Sequence, residues 1–343
     1  MSQALATKYR PSSFDDLCEQ SEIRTILTNQ LQTGDIRNAY LFTGPAGCGK
    51  TTSARIFANE INKGLGSPVE MDAASNNSVD DVREIIQDAK TQSLDSEYKI
   101  YIMDEVHALS NNAWQAMLKL LEEPPKKSVF ILCTTDPQKI PKTILSRVQR
   151  YDFQRISQQG IHNRLVKILG DEGYTVDTID YGAIEYIAKI ADGGMRDAIT
   201  MLDKCLAYSQ ELTVENVVKA LGLADYDVMF ELSSAILNKD SQKVLETINT
   251  LYADGKGLKT FIRTFTDFVL DICKYEVTQS YDFIKIPKHY DLSEAYSIGS
   301  KDYAYFHRLL DALVQLNERL RWDSTPKSTI ESVLLLECFR EDE

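Results

Sequence analysis

The stretch that most constrains this chain is a glycine-rich loop between an apolar run and a helical segment. It reads Leu41-Phe42-Thr43-Gly44-Pro45-Ala46-Gly47-Cys48-Gly49-Lys50-Thr51-Thr52. Glycine tolerates positive φ and lets backbone amides approach a triphosphate, and the following helix adds the positive end of its dipole. Lys50 can reach the β- and γ-phosphates, and the Thr51 hydroxyl can bind Mg²⁺. The pattern therefore predicts a strand, a phosphate-binding loop and a helix in succession.

Secondary-structure elements alternate along the first part of the chain. A helix is predicted from Ser21 until Gly34 stops it, and the apolar run ending at Thr43 is predicted as a strand. The elements predicted after the loop are a helix over 51–63, a strand over 69–72, a helix over 78–91, a strand over 99–105, a helix over 111–122 and a strand over 128–135. Such alternation favours right-handed crossovers and a parallel sheet. We therefore expect an α/β fold that binds ligands at the carboxyl ends of its strands, where Thr43, Asp104 and Thr135 fall.

Two acidic residues, Asp104 and Glu105, close the strand over 99–105. Beside a phosphate loop, the first carboxylate can hold Mg²⁺ and the second can orient and polarise an attacking water. The pair favours hydrolysis over binding alone. In the next strand, the hydroxyl of Thr135 or of its neighbour Thr134 either senses the γ-phosphate or caps a turn. His107 is given no chemical role, because a histidine at this spacing more often packs or forms a hydrogen bond than takes part in catalysis.

Two arginines are candidates for contact with phosphate. Ser146-Arg147 follows an apolar turn, and an arginine supplied by a neighbouring chain can accelerate phosphoryl transfer about 10³- to 10⁵-fold. The alternative for Arg147 is a solvated side chain. Arg196 opens a predicted helix directly after Gly193-Gly194, where the helix dipole disfavours a cation. A nearby phosphate would explain this position, and an ordinary surface arginine is the alternative.

The rest of the chain is predicted to be helical. Helical periodicity covers 158–170, 179–191, 195–208 and 213–221, and a third helical group extends over about 225–343. A length of 343 residues allows two or three domains.

Composition narrows the class of protein. Hydrophobic residues at 43% and charged residues at 26% are typical of a globular protein with ample core. The net charge of −13 argues against a surface devoted to nucleic acid, although it leaves room for a local basic face. The chain has no apolar run of about 18 residues and no signal-peptide core, so we expect a cytoplasmic protein with no membrane partner.

The cysteines give no metal or disulfide pattern. All six are scattered, at positions 18, 48, 133, 205, 273 and 338, and none forms a C-x-x-C pair. We therefore predict neither a disulfide framework nor a zinc site. Cys48 lies on the phosphate loop, where the helix N-terminus could lower the pKa of its thiol; the alternative is a small residue that only fills space.

In order and spacing, these motifs resemble the gamma/tau ATPase subunit family of bacterial DNA polymerase III clamp loaders. The similarity covers nearly the whole chain, from Lys8-Tyr9-Arg10-Pro11 to Leu320-Arg321-Trp322. Besides the phosphate loop, the motifs that carry it are Met71-Asp72-Ala73-Ala74-Ser75, Met103-Asp104-Glu105-Val106-His107, Leu121-Glu122-Glu123-Pro124-Pro125, Thr134-Thr135-Asp136-Pro137-Gln138-Lys139-Ile140-Pro141, Ser146-Arg147 and Gly193-Gly194-Met195-Arg196-Asp197-Ala198. Together they are far more specific than a phosphate loop alone.

The resemblance implies an AAA+ P-loop nucleotide-binding domain at residues 1–156, a helical lid domain at 157–222 and an all-α collar domain at 223–343. In this family, collars join the subunits into a pentameric ring. ATP binding lets the ring grip and open a sliding clamp on primer-template DNA, and hydrolysis releases it. The expected cofactors are ATP and Mg²⁺, and the expected partners are other clamp-loader subunits, the sliding clamp and primer-template DNA.

Matched position by position, the resemblance implies that Lys50 and Thr51 bind ATP and Mg²⁺. Asp104 would be a second magnesium ligand, and Glu105 would serve hydrolysis. The nucleotide contacts would come from the loop, from a segment around the adenine and from the lid: Gly44, Pro45, Ala46, Gly47, Cys48, Gly49, Lys50, Thr51, Thr52, Tyr9, Arg10, Pro11, Leu17, Cys18 and Arg196.

Three further roles follow from the same matching. Thr135 or Thr134 would be sensor 1, and Arg196 would be sensor 2, supplied by the lid. Arg147 matches the arginine finger, which would act in trans on ATP held by the adjacent subunit.

The chain also departs from the family pattern. Bacterial relatives carry a four-cysteine zinc module where this chain has only Lys63-Gly64-Leu65-Gly66-Ser67-Pro68, so no zinc is predicted. Family members often place basic residues after the Asp-Ala-Ala-Ser run to contact DNA, whereas Asn76-Asn77-Ser78 stand here and Arg83 is the nearest cation. DNA contact there should be weakened or amide-mediated. Val148 replaces the usual cysteine of the finger motif without changing the arginine's charge. Because the chain ends soon after the collar, we expect no tau-type tail.

Two other classes stay open. A clamp-loader subunit with only a structural role would keep the fold and lose hydrolysis; intact Lys50, Asp104, Glu105 and Arg196 count against it. A different AAA+ motor, such as a branch-migration helicase or a protein remodeller, would share the phosphate loop. The Leu-Glu-Glu-Pro-Pro and Thr-Thr-Asp-Pro-Gln runs and the helical collar count against that class.

Overall fold

The computed structural model describes residues 3–91, 93, 95–175, 178–222, 226–255, 257–286, 290, 292 and 303–339. The chain divides into two compact units, Met1–Gln210 and Glu211–Glu343. The first combines a sheet with helices, and the elements described in the second are α-helices and one 3₁₀ turn. The predicted domain boundaries after residues 156 and 222 stay predictions.

The first unit is built on a parallel sheet. Its strands are β1 (Ala39–Thr43), β2 (Val69–Asp72), β3 (Lys99–Asp104), β4 (Ser128–Thr134) and β5 (Gln149–Asp152). They lie in the order β2-β3-β4-β1-β5, and every neighbouring pair is parallel. The predicted α/β fold with a parallel sheet is therefore confirmed.

Strand β5 is the one strand that the sequence pattern did not predict. It lies at an edge of the sheet, and Tyr151 is its one buried residue. Its other residues are Gln149, Arg150 and Asp152, which are polar. A strand that buries so little apolar surface has almost no hydrophobic signal, so only its pairing with β1 reveals it.

The first unit has nine helices in its described part. They are α1 (Leu5–Lys8), α2 (Ser21–Thr33), α3 (Lys50–Ile61), α4 (Val79–Ala89), α5 (Asn111–Glu122), α6 (Lys142–Leu145), α7 (Gln158–Asp171), α8 (Tyr181–Ile190) and α9 (Met195–Tyr208). Single 3₁₀ turns lie at Phe14–Asp16, Val106–Ala108 and Pro137–Lys139. The longer helices begin and end within a few residues of their predicted bounds, whereas the one-turn helices α1 and α6 were not predicted.

Helices cover both faces of the sheet. Tyr40 and Phe42 of β1 pack in a cluster with α2 and α3, whereas Leu41 packs in a second cluster with α4 and α5. All three side chains are fully buried. Burial on two faces explains why β1 reads as a continuous apolar run instead of an alternating one.

The sheet register brings the carboxyl ends of the strands together at one end of the sheet. Thr43 is level with Thr134 in β4 and with Asp152 in β5. In the other half of the sheet, Asp72 is level with Asp104. The phosphate loop after Thr43 and the acidic end of β3 therefore both lie at the carboxyl ends of the strands, where parallel α/β sheets bind their ligands.

The second unit is a group of helices, as predicted. They are α10 (Val214–Leu221), α11 (Tyr226–Leu237), α12 (Ser241–Ala253), α13 (Leu258–Thr278), α14 (Tyr303–Leu320) and α15 (Pro326–Phe339), with a 3₁₀ turn at Tyr281–Phe283. Helix α13 packs along α14, and Asn317 donates a hydrogen bond to the Thr266 hydroxyl between them (2.7 Å). No helix in the described part of the chain is both long and apolar enough to cross a membrane.

Candidate nucleotide-binding site

The glycine-rich loop connects β1 to α3. Its three glycines all have positive φ: 146° at Gly44, 71° at Gly47 and 103° at Gly49. Residues with a side chain rarely adopt these angles. At Gly44, an added Cβ would also clash with the carbonyl oxygen of Phe153. The backbone of the loop therefore requires these glycines.

Replacing Gly44 by alanine is expected to lower the free energy of unfolding of the first unit by about 3 kcal/mol, because it adds a clash to an unfavourable φ. Gly34→Ala is the matched control. Gly34 also has a positive φ (72°), but its Cβ would meet no atom within 4 Å, so we expect a loss of only about 1 kcal/mol. Equal losses in the two variants would contradict the packing argument.

Tryptophan fluorescence during urea unfolding measures both losses. Trp114 lies buried on α5, so its emission reports the first unit. The other tryptophan, Trp322, belongs to the second unit and is 93% exposed, so its emission should change little on unfolding.

Lys50 begins α3, and its ammonium group lies against the loop. Nζ donates hydrogen bonds to the carbonyl oxygens of Gly44 (2.8 Å) and Pro45 (2.7 Å). The residue is only 5% exposed, and it sits at the helix end that disfavours a cation. Two neutral carbonyls compensate a buried charge only in part. The position therefore favours an anion such as phosphate.

Thr51 and Asp104 bring two oxygen atoms together beside the loop. Thr51 Oγ1 donates to Asp104 Oδ2 (2.6 Å), and Asp104 Oδ1 accepts from the backbone N–H of Glu105 (3.0 Å). Mg²⁺ prefers oxygen ligands and takes only one or two from the protein when it also binds phosphates. The pair fits a magnesium ion that accompanies a nucleotide.

Glu105 has the left-handed backbone conformation (φ 49°), which is unusual for a residue with a side chain. Its Oε2 accepts a hydrogen bond from Thr135 Oγ1 (3.0 Å) and lies 3.2 Å from His107 Nδ1. Conformations of this kind persist where the surroundings fix them, and they are common at active sites. The Glu105 carboxylate is thus held next to Asp104 at the carboxyl ends of the strands.

The two threonines at the end of β4 have different surroundings. Thr134 is fully buried, and its Oγ1 accepts from the backbone N–H of Asp136 (3.0 Å) and lies 3.1 Å from His107 Nδ1. Thr135 is half-buried and donates to Glu105. The turn-capping position therefore belongs to Thr134, and Thr135 is the hydroxyl that contacts Glu105.

A cleft of about 300 Å³ extends from the loop to the N-terminal segment. The predicted site residues that line it are Tyr9, Arg10, Pro11, Leu17, Cys18, Ala46, Gly47, Cys48, Gly49, Lys50, Thr51, Thr52, Asp104, Glu105 and Arg196. Gly44 and Pro45 do not line the cleft; their carbonyl groups bind Lys50 instead. The fold thus gathers most of the predicted nucleotide contacts around one cavity.

Sequence reasoning missed Asp16, Arg164 and Asp197, which also line the cleft. Arg164, on α7, donates from Nη2 to the carbonyl oxygen of Tyr9 (2.8 Å), although the two residues are 155 positions apart. No local motif marks such a residue, because its role depends on a contact between distant segments.

Arg196 is the second residue of α9, directly beside the loop. The backbone N–H of Met195 donates to the carbonyl oxygen of Gly47 (3.1 Å). A Cβ on Gly47 would lie 3.0 Å from Gly194 Cα, so the two backbones touch closely. Arg196 therefore lies next to the loop and lines the cleft, and its contact with phosphate stays a prediction.

Arg147 does not line the cleft. It lines a separate groove with Ala39, at the start of β1, whereas the phosphate loop follows the end of that strand. The two ends of β1 are roughly 13 Å apart at the usual rise per residue. The Arg147 guanidinium donates instead to Glu122 Oε1 (2.7 Å) and to the carbonyl oxygen of Thr143 (2.7 Å). The structure thus puts Arg147 near the amino end of β1, away from the loop of its own chain, and its predicted role in trans stays a prediction.

The Cys48 thiol is buried in the loop (1% exposed) and lies 3.0 Å from the carbonyl oxygen of Pro45. Burial raises the pKa of this thiol, and the nearby Lys50 lowers it less. The space-filling interpretation therefore describes Cys48 better than a reactive thiolate does. All six cysteines are unpaired.

The sheet order, the phosphate loop after β1 and the attached helices define an AAA+ P-loop ATPase fold. A solved structure of the Thermotoga maritima RuvB Holliday junction branch migration motor matches with a TM-score of 0.51, over 66% of this chain and 79% of that chain. The sequence identity is 19%, so this likeness concerns the fold alone.

Family models match three consecutive stretches: the DNA polymerase III delta subunit at residues 67–157, the ATPase lid domain of the DNA polymerase III clamp loader subunit at 160–211, and domain III of DNA polymerase III subunits gamma and tau at 212–291. DNA polymerase III subunit gamma of Buchnera aphidicola (subsp. Acyrthosiphon pisum) is 38% identical over 74% of this chain and 75% of its own length. The chain belongs to the DNA polymerase III gamma/tau subunit family, which confirms the predicted resemblance.

Longer relatives extend beyond the chain. DNA polymerase III subunit tau of Bacillus subtilis is 35% identical over 98% of this chain, which spans 63% of that protein. The tau subunit of Escherichia coli is 34% identical over 74% of this chain and 42% of its own length. The sequence thus spans less than two thirds of the length of these two relatives.

Proposed function

We propose that this chain is a cytoplasmic ATPase subunit of a DNA polymerase III clamp loader, which uses ATP to open a ring-shaped sliding clamp and load it onto primer-template DNA. The observation that carries the proposal is the position of Arg147. The loop and the acidic pair lie at the carboxyl ends of the strands, and Arg147 lies at the amino end of β1. A chain of this kind offers a nucleotide site and, separately, a cation that only a neighbouring chain can use.

Nucleotide binding follows from the cleft. The loop amides, the N-terminus of α3 and Lys50 hold the triphosphate, and Arg196 approaches it from α9. The segments Tyr9–Pro11 and Leu17–Cys18 surround the base. Mg²⁺ would be held by Thr51 and Asp104, and it would neutralise charge on the phosphates.

Hydrolysis requires a positioned water and compensation of the charge that develops on the phosphate. The Glu105 carboxylate orients the water, and the Thr135 hydroxyl keeps that carboxylate in place. Arg147 of the adjacent subunit supplies the positive charge. Because the site and Arg147 lie at opposite ends of the strands, subunits must pack head to tail, and such packing forms a ring when the rotation between neighbours closes.

Contact with DNA near Asn76-Asn77-Ser78 is proposed to use amide groups. Ser78 and Asp81 cap α4 through reciprocal hydrogen bonds, and the Arg83 guanidinium pairs with Asp80 (2.9 Å). Two carboxylates in the first turn of α4 repel a phosphate there. DNA should therefore bind more weakly at this helix than in relatives with basic residues.

ATP turnover tests the proposed function. The purified chain should hydrolyse ATP slowly by itself, and partner subunits with clamp and primed DNA should stimulate it, because every site needs a neighbour's Arg147. Turnover that ignores clamp and DNA would support a different AAA+ motor. Absence of turnover in the full mixture would support a structural subunit.

Lys50→Ala is expected to weaken the binding of a fluorescent ATP analogue about 100-fold, since charge-assisted hydrogen bonds to phosphate are lost. Lys90→Ala is the matched control, because Lys90 is an exposed lysine at the end of α4 that does not line the cleft. The Lys90→Ala variant should bind the analogue as tightly as the unmodified chain does. Unchanged affinity in Lys50→Ala would mean that the nucleotide binds elsewhere.

A further inference from the structure

Two adjacent residues with side chains, Glu19 and Gln20, both have the left-handed backbone conformation (φ 58° and 54°). This conformation is unfavourable for them and persists only where the surroundings fix it. The two residues directly follow Leu17 and Cys18, which line the cleft.

The Glu19 carboxylate binds Ser157, the N-cap residue of helix α7. Its Oε2 accepts from the backbone N–H of Ser157 (3.0 Å), and its Oε1 accepts a short hydrogen bond from the Ser157 hydroxyl. Any Cβ at Gly160 would clash with this carboxylate, so a glycine on α7 makes room for it. A carboxylate at a helix N-terminus is also favoured by the helix dipole. Glu19 is thus fixed to the first turn of α7.

The Gln20 side chain binds the segment that leads into α7. Its Nε2 donates to the carbonyl oxygen of Gln154 (2.7 Å), and its Oε1 accepts from the backbone N–H of the same residue (3.1 Å). Residues 9–19 include a part of the N-terminal chain that lines the cleft and are called the cleft-lining segment. Both bonds connect its C-terminal end to the chain just before α7.

The other end of the cleft-lining segment is held by α7 as well. Arg164 donates to the carbonyl oxygen of Tyr9 (2.8 Å). Glu172, directly after α7, accepts from the Tyr9 hydroxyl and from Lys8 Nζ (2.6 Å each). Residues 9–19 therefore contact α7 at both ends, and part of the intervening chain faces the nucleotide cleft.

We propose that Glu19 is a positioning residue that makes residues 9–19 and helix α7 move as one body, so that a nucleotide seated against this segment sets the position of α7. The inference rests on the proposed ATP-binding function. It goes beyond that function by assigning the coupling between base-binding segment and lid to one carboxylate. Arg164 completes the same connection at the other end.

The test uses the full chain and two measurements. Equilibrium binding of a fluorescent ATP analogue gives the affinity, and hydrogen exchange with and without ATPγS gives the protection of residues 158–171. Glu19→Ala should weaken analogue binding about fivefold and abolish the nucleotide-dependent protection of α7. Glu19→Gln keeps an acceptor for the Ser157 N–H, so it should recover part of both. Arg164→Ala, which releases the other end, should also abolish the protection.

Asp180→Ala is the matched control. Asp180 caps α8 by accepting from the backbone N–H of Gly182 (2.8 Å), so its loss also removes a carboxylate cap from a helix of this unit. Asp180 does not line the cleft. We expect it to lower the midpoint of thermal unfolding much as Glu19→Ala does, while affinity and nucleotide-dependent protection stay unchanged.

The outcomes separate the inference from the proposed function. If the unmodified chain binds the analogue but Glu19→Ala behaves like Asp180→Ala in affinity and protection, Glu19 is only a helix cap and the inference is overturned. If the unmodified chain does not bind the analogue, the proposed function fails first. Loss of α7 protection in Glu19→Ala and Arg164→Ala, with partial recovery in Glu19→Gln, supports the inference.

Discussion

Replacing Arg147 by alanine is expected to lower ATP turnover of the assembled ring about 10³-fold and to leave nucleotide affinity unchanged. The guanidinium lies at the amino end of β1, so it does not contact the nucleotide of its own chain. In the proposed function, it acts on the phosphate of the adjacent subunit, where charge develops in the transition state. The loss should therefore appear in the catalytic rate and not in binding.

A mixing experiment shows whether this action is in trans. Lys50→Ala chains lack a working nucleotide site but supply Arg147, and Arg147→Ala chains have the site but lack the guanidinium. A mixture of the two should recover part of the turnover that each has lost. Arg37→Ala is the matched control, because it removes an exposed positive charge from the same groove. Turnover by a strictly monomeric preparation that Arg147→Ala leaves intact would refute the role.

Glu105→Gln is expected to lower the rate of ATP cleavage about 10³-fold, because an amide does not polarise the attacking water. Glutamine keeps an oxygen that accepts from the Thr135 hydroxyl, so the site should stay folded and bind nucleotide normally. Phosphate release in a single turnover by the assembled ring measures the chemical step.

Glu84→Gln serves as the control for Glu105→Gln. Glu84 is an exposed glutamate on α4, outside the cleft lining, and its variant should release phosphate at the unmodified rate. If Glu105→Gln also cleaves ATP at that rate, Glu105 does not position the water. Weakened binding with normal cleavage would point instead to a structural role for its carboxylate.

The core of the fold was predictable because its signals are local. The buried strands β1, β3 and β4 are continuous apolar runs, and α2 ends at Gly34, which has the positive φ that favours glycine at a helix end. Strand β5 carried no such signal. Tyr151 alone is buried there, so its assignment depends on pairing with a strand more than a hundred residues earlier.

The candidate site was predictable in part for the same reason. The loop, Asp104 and Glu105 belong to short motifs whose chemistry depends on neighbouring residues. The choice between Thr134 and Thr135 was open, because side chains alternate along a strand and only packing shows which hydroxyl is buried. Arg164 was missed because its partner Tyr9 lies at the other end of the first unit's sequence.

By itself, the sequence determined the phosphate loop, the acidic strand end and the alternation of strands with helices, since each arises from residues a few positions apart. Only the tertiary structure decided that Arg147 faces away from its own loop and that α7 holds both ends of residues 9–19. The physical reason is that these features depend on which distant segments pack together, and side chains that meet only after folding leave no periodic trace in the chain.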